Sequence, residues 1–178
     1  MGLDAVEFVM AVEAAFAIDI PDTDATQLAT PGQLVDYLER RLAPSSASFE
    51  FNSASACLEQ RAFYLIRRAS LKLFDVGRAE IQPDTPWDHI LPTGDERAAW
   101  RALGEAVAAE TWPSRKLWLM PETSTVGGTA KHLAVLTPRS FRPETEPWTR
   151  VTIERVVTGL VWEELGIKKF AWTDRFVH

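Results

Sequence analysis

Cysteine and histidine are scarce in this 178-residue sequence, and their scarcity excludes several kinds of site. Cys57 is the only cysteine, so the chain cannot form an internal disulfide or a metal site with several cysteine ligands. The three histidines, at 89, 132 and 178, are far apart and show no metal-ligand or catalytic-triad spacing. We therefore predict that the chain is not an enzyme, with no catalytic residues, no metal site and no cofactor.

Long hydrophobic runs are also absent. No apolar stretch approaches the roughly 20 residues that span a bilayer, and no basic segment precedes an apolar one at the amino terminus. The sequence therefore predicts a cytoplasmic protein without a membrane partner. With 46% hydrophobic residues and seven tryptophans, it has enough apolar surface to build a folded core.

Basic residues are rare in the first quarter of the chain. Residues 1–44 hold eight acidic and two basic side chains, and the remainder holds 17 of each, so the net charge of −6 lies entirely in this segment. Phosphates would be repelled by such a surface, which argues against a nucleic-acid partner. A protein partner with a basic surface fits this charge better.

Hydrophobic spacing predicts helices in both terminal regions. A first helix over residues 4–17 has an apolar stripe, a short helical turn follows Asp22, and a third helix runs from Pro31 to about Arg41. A last helix spans residues 151–165 and ends at Gly166, a residue that favours the position just after a helix. The stripe of the first helix consists of Val6, Val9, Met10, Val12 and Phe16.

The middle of the chain is bounded by two predicted linkers, residues 45–56 and 139–146, which are rich in small residues and proline. Between them, helices are predicted over residues 57–74, 95–109 and 129–136. The first of these has a basic face, and Gly127-Gly128 is predicted to be a turn before the last.

Residues 3–13, followed by Phe16 and by residues 18–22, resemble the second helix and following loop of an acyl carrier protein. Residues 30–38 are similar to the closing helix of that family in the same register. The first helix of the family resembles residues 151–166 instead, and its following loop resembles residues 173–177. The family order therefore looks permuted in this chain.

The resemblance implies an all-α fold. We expect residues 1–44 together with residues 147–178 to form one carrier-like four-helix bundle, because a three-helix remnant would leave its apolar stripe in water. The last helix could come from the same chain or from a neighbour by swapping. Residues 57–138 resemble a second, degenerate carrier-like domain.

In acyl carrier proteins, a serine at the start of the second helix carries phosphopantetheine, whose arm holds acyl groups. The resemblance places Gly2 at that serine position, and a three-residue slip would place Ala5 there. Neither has an oxygen that could form the phosphodiester, so no attachment residue and no arm are predicted. Two alternatives remain: a carrier modified at Ser124 or a linker serine, and a domain-swapped dimer that serves assembly only.

The resemblance also implies a partner-binding surface on the first two helices. The corresponding positions are acidic residues around apolar ones, although Val6 and Met10 could instead pack inward. We therefore predict a non-catalytic adaptor that acts near fatty acid or polyketide metabolism and docks to partners without carrying cargo. The predicted partner-binding residues are Leu3, Asp4, Val6, Glu7, Met10, Glu13 and Asp24.

Overall fold

The computed structural model describes residues 3–42, 57–114, 123–143 and 145–176, and within these ranges the chain is helical. The only pairing of extended backbone there is an isolated bridge between Pro86 and Thr125, so the predicted all-α class is confirmed. No helix in these ranges is long and apolar enough to span a membrane. The α-helices are α1 Leu3–Phe16, α2 Asp22–Ala25, α3 Pro31–Leu42, α4 Leu58–Leu73, α5 Glu96–Val107, α6 Val126–Leu136 and α7 Arg150–Leu165.

The chain divides into two compact units. One contains Met1–Ser53 together with Arg142–His178, and the other contains Ala54–Phe141. In the first unit, which we call the terminal unit, α7 packs against both α1 and α3 of the same chain. Its core is built from apolar side chains on all three helices, among them Val12, Val35 and Leu160, which are inaccessible to solvent.

The beginning of α3 follows the sequence prediction closely. Pro31 occupies the first helical position, and the Thr30 hydroxyl accepts a hydrogen bond from the Gln33 amide at 3.2 Å. The Gln33 side chain in turn accepts from the Ala29 and Thr30 amides. This reciprocal arrangement satisfies donors that the first helical turn leaves without helical partners.

Helix α7 is fixed at both ends. At its start, Thr149 Oγ1 accepts from the Thr152 amide at 3.2 Å, and at its end Gly166 adopts a left-handed conformation with φ of 68°. Arg150 also joins α7 to α3, because its Nη1 atom lies 2.7 Å from carboxylate oxygens of both Asp36 and Glu39. These two acids raise the pKa of Arg150.

The second unit, the middle unit, is organised around α4, which packs against α5 and α6. Three tryptophans form its aromatic centre: the rings of Trp87 and Trp100 lie 5.0 Å apart, and those of Trp100 and Trp112 lie 4.9 Å apart. The indole nitrogen of Trp87 donates to Thr129 Oγ1 at 2.8 Å, and that of Trp100 donates to the Pro113 carbonyl. The indole nitrogens of Trp87 and Trp100 thus have polar partners, whereas the buried indole nitrogen of Trp112 has none within the described ranges.

Helix α6 begins three residues earlier than predicted. Gly127 and Gly128 lie within its first turn rather than in a preceding turn, with Thr125 as the N-cap residue. The Gly127 amide donates to the Pro83 carbonyl at 2.7 Å, and a Cβ atom on Gly127 would lie 2.6 Å from that oxygen. Glycine is therefore needed here for close backbone approach, which sequence spacing does not reveal.

Two further differences affect the middle unit. Residues 138–141, which partly coincide with the predicted linker 139–146, form a 3₁₀ helix whose Pro138 and Phe141 are buried. The predicted linker 45–56 lies outside the described residues. At the end of α4, Leu73 is exposed, whereas Ile66 in the middle of the helix is fully buried.

Candidate functional site

The outer surface of α1 is the candidate site. Phe8, Val12, Ala15 and Phe16 turn inward and are buried. The inward stripe expected at Val6, Val9, Met10, Val12 and Phe16 was therefore wrong in part. Almost every position of α1 apart from its acidic residues is apolar, so apolar spacing alone could not identify the inner side.

Opposite this core lies a surface that combines apolar and acidic side chains. Met10 is 61% exposed and Val6 is 43% exposed, so the alternative that they pack inward is wrong. Asp4 and Glu7 are exposed beside them. At 100° per residue, Val6, Met10 and Glu7 fall within one sector of about 100°, and Asp4 lies about 60° beyond Glu7, at the border between this surface and the cavity on the inner side of α1. We call Asp4, Val6, Glu7 and Met10 the α1 face.

The remaining predicted site residues have other surroundings. Glu13 turns toward the following loop, where its Oε1 accepts from the Ile20 amide at 2.7 Å. Asp24 accepts from the Tyr37 hydroxyl at 2.9 Å and joins α2 to α3. Leu3 begins α1, but its side chain is outside the described part of the structure, as is Gly2. The structure thus groups four of the seven predicted residues on one surface.

Burial and the hydrogen bond to Asp24 both raise the pKa of the Tyr37 hydroxyl. Burial is the larger cause, because removing solvent disfavours the negatively charged phenolate. The nearby Asp24 carboxylate acts in the same direction. This interaction holds the short α2 against α3, and it gives Asp24 a structural role whether or not it also meets a partner.

A cavity of about 560 Å³ lies on the inner side of α1, within the terminal unit. Its apolar walls include Phe8, Val12 and Ile20, and charged residues at its border include Asp4 and Arg175. No pattern in the sequence predicted this cavity. It is formed jointly by α1, the α2 region, the end of α7 and the following tail, so no local pattern reports it.

The tail after α7 is irregular and mostly exposed, but hydrogen bonds and a ring contact join it to the rest of the terminal unit. The Trp172 carbonyl accepts from the Gly32 amide at 2.9 Å, and the Phe176 amide donates to the Ala29 carbonyl at 3.0 Å. The rings of Phe176 and Phe8 lie 4.9 Å apart. These contacts bring the end of the tail beside the first half of α1.

Within the described segments, no group of three or more histidine, cysteine, aspartate or glutamate side chains is arranged to hold a metal ion. The α1 face instead offers charge and apolar contact, which are the properties of a recognition surface.

The segment that contains α1, α2 and most of α3 is similar in sequence to known proteins. Residues 3–38 match the family model described as a phosphopantetheine attachment site. Acyl carrier proteins also match part of this chain: that of Amoebophilus asiaticus is 49% identical over 41 residues, and that of Wolinella succinogenes is 54% identical over 37. Residues 3–38 are acyl carrier protein-like.

These matches cover 23% and 21% of this chain and 51% and 49% of the two carrier proteins. A carrier protein of Guillardia theta, 49% identical over 41 residues, is likewise covered over 51% of its length. The chain thus spans about half the length of the curated relatives it matches. No solved structure matches the chain.

The carrier-like segment 3–38 contains no serine, and Gly2 lies immediately before it. Ser124, one of the alternative attachment residues, belongs to the middle unit, where it lies two residues before α6 and its carbonyl accepts from the Trp87 amide. The serines of linker 45–56 lie outside the described residues, whereas Ser140 of the second predicted linker belongs to the middle unit, where its Oγ accepts from the Glu110 amide at 3.2 Å.

Proposed function

We propose that this chain is a non-catalytic, carrier-like adaptor that docks to basic protein surfaces through the α1 face and carries no phosphopantetheine arm. The observation that carries the proposal is the exposure of Val6 and Met10 beside Asp4 and Glu7. Exposed apolar side chains next to like charges provide both contact area and electrostatic selection of a basic partner.

The proposed lack of an arm is supported by the sequence of the carrier-like segment. Phosphodiester formation needs a side-chain hydroxyl at the start of the helix, and Gly2 has none. Ser124 is partly buried and lies in the middle unit, so it does not adjoin α1 in sequence or within the same unit. The chain would then bind partner proteins as a carrier protein does, but it would not carry an acyl group.

We also propose that the carrier-like domain is circularly permuted and complete within one chain. Two observations support this: α7 packs on α1 and α3, and the tail reaches Phe8. Both contacts join segments that lie at opposite ends of the sequence. The matching families provide a sequence counterpart for α1 to α3 but not for α7.

The arm is tested by intact-mass measurement after incubation with coenzyme A and a broad-specificity phosphopantetheinyl transferase. We expect no change in mass, while an acyl carrier protein in the same tube gains one arm and serves as the positive control. A mass gain on this chain would contradict the proposal. If Ser124→Ala then abolished that gain, the chain would be a carrier modified at Ser124.

Docking is tested by NMR titration with a synthetic amphipathic helical peptide that carries lysines on one face. We expect amide shifts concentrated on α1, weakened by added salt because screening reduces interactions between exposed charges. Asp4→Asn/Glu7→Gln should weaken binding. The control Asp19→Asn/Asp22→Asn removes the same charge outside α1 and should bind like the wild type. Equal weakening by both variants would show net charge, not the α1 face, to be the cause.

A further inference from the structure

Helix α4 of the middle unit carries a surface that is complementary to the α1 face. Its inner side is buried through Ala62, Ile66 and Ala69. On its outer side, Tyr64 is 46% exposed and Leu71 is 38% exposed.

Arg68 and Lys72 are exposed on the same outer side of α4. The spacings of four, seven and eight residues from Tyr64 place all four side chains along one stripe. We call Tyr64, Arg68, Leu71 and Lys72 the α4 face.

The charges on this helix are predominantly positive. Helix α4 contains four basic residues and one acidic residue, Glu59. Arg61 and Arg67 donate to the carbonyls of Phe141 and Ile81, and the Arg67 guanidinium also lies 5.4 Å from the centre of the Tyr64 ring. Arg68 and Lys72 therefore account for the cationic character of the outer surface.

The net charges of the two units differ in the same direction as the charges of the two faces. The terminal unit has 15 acidic and 8 basic residues, and the middle unit has 10 and 11. One copy of the chain thus presents an acidic–apolar helix face and a basic–aromatic helix face. Since like charges repel and opposite charges attract, two α1 faces or two α4 faces repel each other, whereas an α1 face attracts an α4 face.

The dimensions also agree. Asp4 to Met10 extends about 9 Å along a helix axis, and Tyr64 to Lys72 extends about 12 Å, at 1.5 Å per residue. Each face holds two charges of one sign and two apolar side chains. Antiparallel or parallel alignment would place Met10 and Val6 within reach of Leu71 and Tyr64, where apolar side chains exposed in the single chain become covered.

We propose that the partner of the α1 face is the α4 face of a second copy of this chain. This rests on the proposed docking role of α1 and names its partner. Because the two faces differ, the contact is heterologous and joins copies head to tail. Four side chains from each helix make an interface at the small end of the known range, so the association is weak, rapidly reversible and sensitive to salt.

The test uses sedimentation equilibrium of the full chain with two charge-reversed variants. The first, Asp4→Lys/Glu7→Lys, makes both faces basic, and the second, Arg68→Glu/Lys72→Glu, makes both acidic. Each variant alone should associate about tenfold or more weakly than the wild type, since like charges then meet. An equimolar mixture should recover association, because the basic α4 face of the first variant can bind the acidic α1 face of the second, and the reversed α1 face of the first can bind the reversed α4 face of the second.

The control variant Asp19→Lys/Asp22→Lys reverses two acidic residues outside α1 and should associate like the wild type or more strongly. Circular dichroism of each variant verifies that it is folded. If Asp4→Lys/Glu7→Lys is not folded, Asp4→Asn/Glu7→Gln replaces it, and we expect this variant to associate at least threefold more weakly than the wild type.

Our inference is overturned if the wild type stays monomeric at low salt and high concentration, or if the mixture associates no better than its components. Should the lysine peptide still bind α1 in that case, the docking role stands and only the partner is wrong. If the lysine peptide does not bind α1 either, the proposed docking role of α1 is also wrong.

Discussion

Replacing Leu160 by alanine probes the attachment of α7 to the rest of the terminal unit. Leu160 has no solvent-accessible surface, and its helix packs against α1 and α3. A buried leucine-to-alanine change costs about 2–5 kcal/mol, because apolar burial is lost and a cavity remains. We take about 3 kcal/mol as the expected loss in the free energy of unfolding. Single domains are stable by only about 5–15 kcal/mol, so this is a large fraction.

The assay is hydrogen exchange read by mass spectrometry on peptides from each helix. In Leu160→Ala, peptides from α1 and α3 should lose protection together with α7, because all three share one core. Peptides from α5 and α6 belong to the other unit and should be protected as in the wild type. A matched control is Val151→Ala, which shortens a side chain on the same helix that is 66% exposed and should change little.

The reasoning would be refuted if α7 alone became unprotected while α1 and α3 exchanged as before. Protection of α7 that was lost on dilution would instead indicate that a neighbouring copy supplies α7, because the contact proposed between the α1 and α4 faces does not involve α7. Equilibrium unfolding should give the same ranking as exchange. A loss below about 1 kcal/mol would mean that the side chain is not part of a well-packed core.

Two further variants test local interactions. Thr149→Ala should lower the free energy of unfolding by about 1 kcal/mol, because the N-cap bond to the Thr152 amide is lost, whereas Thr158→Ala within the same helix should not destabilise. In a Tyr64→Phe background, Tyr37 is the only tyrosine, and its absorbance titration should show a midpoint above pH 10.0 that Asp24→Asn lowers. Since the neutral phenol is favoured in the folded state, this contribution to stability is present below pH 10.0 and is lost as pH rises through the folded pKa.

The sequence predicted the helices better than it predicted their orientation. In α3, apolar residues alternate with charged ones at helical spacing, and Leu34, Val35 and Leu38 are buried as expected. In α1, apolar residues surround the axis, so the choice between Met10 and Phe8 for the core depends on where α7 and the tail lie. That information is carried by residues more than 140 positions away.

The same limit applies to close backbone contacts. Gly127 looked like a turn residue because nothing near it in sequence reveals that Pro83 approaches it. Gly32 similarly lies where a Cβ atom would come within 2.8 Å of the Trp172 carbonyl oxygen. Local patterns report secondary structure, whereas steric requirements imposed by distant segments become visible only after folding.

The tail contacts help to determine which side of α1 is exposed. The Phe176 ring packs on Phe8, and Trp172 supplies an acceptor for an otherwise unpaired amide at the start of α3. Phe8 is thereby held in the core, and its position fixes the rotation of α1 about its axis. With that rotation fixed, Met10 and Val6 must point to solvent. We therefore expect that removing the tail after α7 would change both the packing around Phe8 and the exposure of Val6 and Met10.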